Sequence, residues 1–232
     1  MTVGEPALAD RVVVITGATG KLGPTVAAAF AEAGDRVAVL ARDGAEVEAL
    51  AMSLPGGPGR HIGIAADLVS AESAIGAART VRERLSPPVV LLHLVGGYAG
   101  GTLVEDADET LWRDLFELNF WTAFHTLRAF LPDIRAAVAG RIVTVSTPLA
   151  GAPVAAIGPY AASKGAVETL TLTVARELAG ATATANVILV RTIGDAKPSH
   201  TRPAEIAAAL LWLASPEAGA INGQRIPLVG RG

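Results

Sequence analysis

Apolar positions follow two alternating rhythms along the chain. Short β-branched runs at residues 11–16 (RVVVIT), 36–41 (RVAVLA), 61–66, 89–95, 141–146, 185–190 and 224–229 read as strands. They are apolar on both faces, as strands of a buried parallel sheet are. Helical stretches separate them, at residues 24–33, 43–53, 70–86, 159–179 and 203–213. A longer helical region with a break near Asp108 reaches about residue 137. Pro24 suits a first turn, Gly34 a helix end, and Asp43 and Ser70 suit N-caps. Strict β-α alternation predicts one parallel sheet with helices on both faces. Right-handed crossovers make it doubly wound, a Rossmann-type α/β fold. One domain is expected over residues 1–232, with residues 1–10 as a short N-terminal tail. In such a sheet the ligand contacts fall just after strands.

Composition narrows the picture. The chain is 51% hydrophobic and 18% charged, with a mean hydropathy of +0.44, which excludes intrinsic disorder. The absence of cysteine excludes a disulfide scaffold and fits a reducing compartment. The longest apolar stretch, residues 89–95, is broken by His93 and falls far short of the ~18–20 residues of a membrane span. The opening MTVGEPALADR has no basic segment followed by an apolar one, so no secretory signal is read and a cytoplasmic location is expected. A net charge of -3 without a basic cluster argues against a nucleic-acid partner. The four histidines are scattered and form no HExxH, so no metal site is expected.

Chemistry concentrates first in Thr16-Gly17-Ala18-Thr19-Gly20-Lys21-Leu22-Gly23, between the first strand and first helix. Gly17, Gly20 and Gly23 permit tight turning and close backbone approach. The helix that follows offers free N–H groups and its positive dipole end to a phosphate. A glycine triplet alone is weak; after a buried first strand it points to a dinucleotide. At the end of the second strand, an acidic residue would bind a ribose 2′-OH. Ala41 is apolar and Arg42 follows, whose fork of donors suits a 2′-phosphate. NADP(H) is therefore expected over NAD(H), with Lys21 as a further aid. Asp67, with Leu68, follows the third strand and is placed to accept from an adenine amino group.

Tyr160 and Lys164 lie four apart near the start of a helix, so they share a face. A phenol near pKa 10 is a poor acid or base at pH 7. A nearby ammonium favours the phenolate, and such a tyrosine can exchange a proton with a carbonyl or hydroxyl.

With TGATGKLG at 16–23, Asp67, Asn119 in the long helical region, GRIVTVST at 140–147 and YAASKGA at 160–166, the chain resembles the short-chain dehydrogenase/reductase family over nearly its whole length. The resemblance implies that Tyr160 is the general acid/base and that Lys164 orients the nicotinamide ribose and tunes the tyrosine. It also implies that Asn119 holds a water in a proton relay. A serine hydroxyl that polarises the substrate falls on Thr147 or its neighbour Ser146. Four departures stand out. Lys21 occupies the place of a loop glycine. Thr147 occupies that of the serine. His93-Leu94-Val95-Gly96 replaces Asn-Asn-Ala-Gly, keeping only Gly96. Val190-Arg191 replaces Pro-Gly, before a short lid from Thr192 to Arg202. The loop VGGYAGG at 95–101 and this short lid are similar to the dihydropteridine reductase branch, although Arg42 disagrees with the NADH preference of that branch.

The expectation is an NADP(H)-dependent oxidoreductase. It would reduce a carbonyl, or a conjugated C=N or quinonoid system, in a small molecule, with Ile193 contacting the nicotinamide amide through its backbone. A cofactor-binding sensor or scaffold of the same fold with little turnover is the alternative. The resemblance implies a homodimer or homotetramer built on the helices carrying Asn119 and Tyr160.

Overall fold

The computed structural model describes residues 10–57 and 59–230. Of the expected N-terminal tail, only Asp10 lies among them. Seven strands form one sheet: β1 (Val12–Thr16), β2 (Arg36–Ala41), β3 (Ile62–Ala65), β4 (Val90–His93), β5 (Arg141–Ser146), β6 (Thr184–Val190) and β7 (Arg225–Leu228). Their order is β3-β2-β1-β4-β5-β6-β7, and every neighbouring pair is parallel. Chain order reverses between β1 and β4, so a crevice opens beyond the ends of these two strands. Thr16 and His93 are register partners at its floor.

Helices cover both faces. Val13 and Ile15 of β1 pack with α1 (Gly23–Glu32), α2 (Gly44–Ser53) and α7 (Pro203–Leu213), around Phe30, Val47 and Leu210. Val12 and Val14 point to the other core, with α3 (Ala71–Arg84), α5 (Thr122–Ala136) and α6 (Gly158–Glu177), around Val81, Phe130 and Val174. The period of two along β1 thus divides one strand between two cores. Side-chain caps start the helices as read: Asp43 accepts from Ala45 and Glu46 N–H, and Ser70 from Ser73 N–H.

The long helical region breaks near Asp108 and ends at Ala136 as expected, but it carries a π turn that the pattern did not show. Asp108 caps α4 (Glu109–Leu115), which passes into a π-helical turn at Phe116–Trp121 and then into α5. Such turns insert an extra residue into the helix, and Asn119 sits in this one. The strand β7 carries Pro227 and is the sheet edge, where a missing N–H costs no ladder bond.

Candidate active site

The glycine loop closes on the fourth strand. Gly17 has φ +67, and a Cβ there would lie 2.9 Å from the Val95 amide nitrogen. Gly23 is packed against the Ala18 carbonyl, so the third glycine lets the start of α1 close on the loop itself. The loop borders a cleft of about 340 Å³. Gly17, Thr19 and Gly20 form one wall, Leu94–Gly96 the centre, and Arg42, Asp67 and Leu68 the far end. Seven of the expected cofactor residues thus share one cleft. Lys21, Leu22, Gly23, Ile193, Tyr160 and Lys164 are not on its wall. Leu22 turns its side chain into the core, and Lys21 is exposed. Ile193 borders the short lid, where Thr192 and Gly194 bond to Thr201. Two acidic side chains beside Arg42, Asp43 and Glu46, also line the cleft. The N-cap signal announced Asp43 as structural, and nothing in the pattern singled out Glu46.

At the other end of the crevice, Asn119 clamps the loop after β4. Its Oδ1 accepts from Gly97 N at 2.9 Å, and its Nδ2 donates to Gly97 O at 3.2 Å and Ser163 Oγ at 2.9 Å. A side chain at Gly96 would strike the Lys164 Nζ, which explains a glycine there. His93 is buried below this loop. Its Nδ1 shares a hydrogen bond with Thr16 Oγ1 at 2.9 Å, and its Nε2 lies 3.5 Å from Thr122 Oγ1. Burial and the nearby Lys164 ammonium lower its pKa to about 3.

Tyr160 and Lys164 both project from the start of α6, but they differ in surroundings. Lys164 is 6% exposed and donates to the Val145 carbonyl at 3.1 Å. Burial lowers its pKa to about 8, against an opposing pull from Glu168. The expected lowering of the Tyr160 pKa by Lys164 is not found in the free protein. Burial raises the phenol, a hydrogen bond with Thr147 opposes the rise, and the neighbouring Tyr98 adds to it. The ring of Tyr98 meets that of Tyr160 edge-on, with centroids 4.9 Å apart. The Thr147 hydroxyl therefore faces Tyr160. Ser146 does something else: its Oγ donates to Glu168 Oε1 at 2.6 Å. Glu168 was not singled out, because a glutamate in a helix carries no sequence signal of burial.

The described residues include no helix long and apolar enough to cross a membrane and no group of three metal-ligating side chains. The family model described as short chain dehydrogenase matches residues 11–196. A galactitol 2-dehydrogenase (L-tagatose-forming) of Cereibacter sphaeroides is 32% identical, with 93% of this chain and 92% of that one aligned. A short chain dehydrogenase of Pseudocercospora fijiensis is 28% identical over 75% of this chain, which spans 56% of that protein. Among solved structures, an NADPH-bound short chain oxidoreductase of Pseudomonas aeruginosa, described as containing an atypical catalytic center, superimposes with a TM-score of 0.86. It is 25% identical, and 95% of this chain and 96% of that one are covered.

Proposed function

This chain belongs to the short-chain dehydrogenase family, and from that premise we propose that it is an NADP(H)-dependent oxidoreductase reducing a carbonyl or a conjugated C=N or quinonoid small molecule. The observation that carries the reading is one cleft shared by a phosphate-type glycine loop, Arg42, Asp67 and Gly96. Gly96 abuts the Lys164 ammonium, on the helix that also carries Tyr160. The residues present fit a dinucleotide. The glycine loop leaves its wall open to a pyrophosphate, and Arg42 is exposed at the end where an adenosine ribose belongs. The bound nicotinamide supplies hydride chemistry.

The chain's own residues supply the rest. Gly17, Thr19 and Gly20 hold the pyrophosphate, and Arg42 the 2′-phosphate. Asp67 and Leu68 bound the adenine, and Gly96 leaves room beside Lys164. Lys164 presents a cation to the nicotinamide ribose. The Thr147 hydroxyl orients the substrate oxygen, and the Tyr160 Oη exchanges a proton with it. Asn119 holds the loop after β4 at its distance from α6, and Ile193 would contact the carboxamide through its backbone. The exposed Trp121, among Phe116, Phe120 and Phe124, supports a homodimer or homotetramer formed through α5 and α6.

Cofactor titration tests the binding half. Arg42→Asp should weaken NADPH by an order of magnitude or more, because charge-assisted hydrogen bonds are worth about 1.5–3 kcal/mol. NADH should weaken much less, and equal losses would refute the NADP(H) assignment. Tyr160→Phe tests the chemical half. Turnover of an active carbonyl or quinone should fall by ~10²–10⁴-fold with NADPH affinity retained. A fully active Phe variant would remove Tyr160 from the reaction.

A further inference from the structure

A side-chain network lies beneath Lys164 and plays no part in the reaction described above. Glu168 stands one turn further along α6 and is only 3% exposed. Oε1 accepts from Ser146 Oγ at 2.6 Å, and Oε2 pairs with Arg225 Nε of β7 at 2.6 Å. Ser146 Oγ also approaches the Lys164 carbonyl at 3.4 Å. Three consecutive residues at the end of β5 are thereby given distinct tasks. Val145 accepts from the Lys164 ammonium, Ser146 is held by Glu168, and Thr147 meets Tyr160.

A buried carboxylate is an expensive tether. Well-packed apolar residues of similar volume often replace a buried ion pair at no loss of stability. Its position, one turn from a buried ammonium that otherwise rests on a neutral carbonyl, has a more specific consequence. We propose that Glu168 is a positioning residue of this site: its buried carboxylate serves as the counter-charge one turn from the Lys164 ammonium and, through Ser146, fixes the strand end that carries Val145 and Thr147. The inference relies on the proposed reaction only for the roles of Lys164, Thr147 and Tyr160.

The surroundings of Lys164 leave this task to Glu168. From β4, His93 faces it as a neutral ring. Tyr160 shares its helix, and Arg225 reaches toward it only through Glu168. In the strands beneath α6, β6 carries no charged residue, and Arg141 sits at the opposite end of β5, bonded to Gly140, Thr182 and Ser215 carbonyls. On α4 and the π turn, Glu109, Arg113, Asp114 and Glu117 are exposed. On α5, Arg128 is exposed, Asp133 pairs with Arg82, Arg135 bonds to the Glu177 carbonyl and His125 contacts the Leu68 carbonyl. Burial has already brought Lys164 down to about 8, and Glu168 opposes that fall.

The chain has three lysines, Lys21, Lys164 and Lys197, so each side-chain resonance can be followed by NMR in the cofactor-free protein. Glu168→Gln keeps the shape and removes the charge; Lys164 should then titrate about one pH unit lower or more. Arg225→Gln leaves the carboxylate uncompensated and should move Lys164 upward. Lys21 and Lys197 should not move in either variant. Opposite movements support the proposal. An unmoved Lys164, or movement in the same direction in both variants, overturns it and leaves Glu168 a bridge between α6 and β7. Should Glu168→Gln not fold, the half-exposed Arg225 decides alone: a rise supports, no rise overturns. These titrations need neither cofactor nor substrate, so a wild type without NADPH-dependent turnover would defeat the proposed reaction and not this inference.

Discussion

In the proposed reaction Tyr160 would lose a proton where burial discourages it, and in the free protein Thr147 is the neighbour that eases the loss. Removing that hydroxyl should therefore be felt in the chemistry. Thr147→Val should lower kcat by about 10²-fold, as loss of one preorganised donor does, and leave NADPH affinity intact. Its kcat profile should shift toward higher pH, since the opposing interaction is gone. Ser146→Ala should lower kcat less, because the Ser146 hydroxyl is spent on Glu168. Steady-state kinetics of the two variants with one substrate checks the order; the reverse order would move the active hydroxyl to Ser146. Sequence alone left these neighbours open for a physical reason. Both carry a hydroxyl, and only the alternation of side chains between sheet faces tells them apart.

Elements were legible where pattern and burial coincide. All seven strands and the helices between them follow from apolar runs and caps, because a sheet covered on both faces needs such runs. The glycine loop was legible for the same reason: its position after β1 makes it a crevice wall. The π turn was not, since six residues of FELNFW suit α and π winding equally. Glu46 at the cleft and Glu168 in the core were missed because their placement depends on tertiary contacts, not on local pattern. The turn between α5 and β5 also holds local strain that no propensity reveals. Ala139 there has φ 65, and its N–H donates to Thr182 Oγ1 at 3.1 Å. A left-handed conformation costs an ordinary residue roughly 1–2 kcal/mol, a cost glycine avoids. Ala139→Gly should thus stabilise the protein by up to about 1 kcal/mol, once the greater freedom of glycine in the unfolded chain is subtracted. Urea unfolding should show a higher midpoint at unchanged slope.

Across the whole molecule, buried titrating groups tie stability to pH. His93 holds its proton with a pKa of about 3 when folded and 6.5 when not. The unfolded chain therefore binds more protons between these values, and folding weakens as pH falls from 6.5 toward 3. His93→Asn should flatten that slope, so that wild type loses about 2–3 kcal/mol more than the variant between pH 7 and roughly pH 4.5. Equal losses would show that the ring is not kept neutral. Lys164 acts in the other range. Its pKa of about 8, against 10.5 unfolded, subtracts stability that is fully missing below pH 8 and is regained as pH rises toward 10.5. At neutral pH the deficit is on the order of 3 kcal/mol, carried by the ammonium proposed to serve the cofactor. Lys164→Met would fill the space without that burden. Selection for heat tolerance alone would therefore favour discarding this lysine; on its proposed role, its presence represents a standing compromise between durability and work.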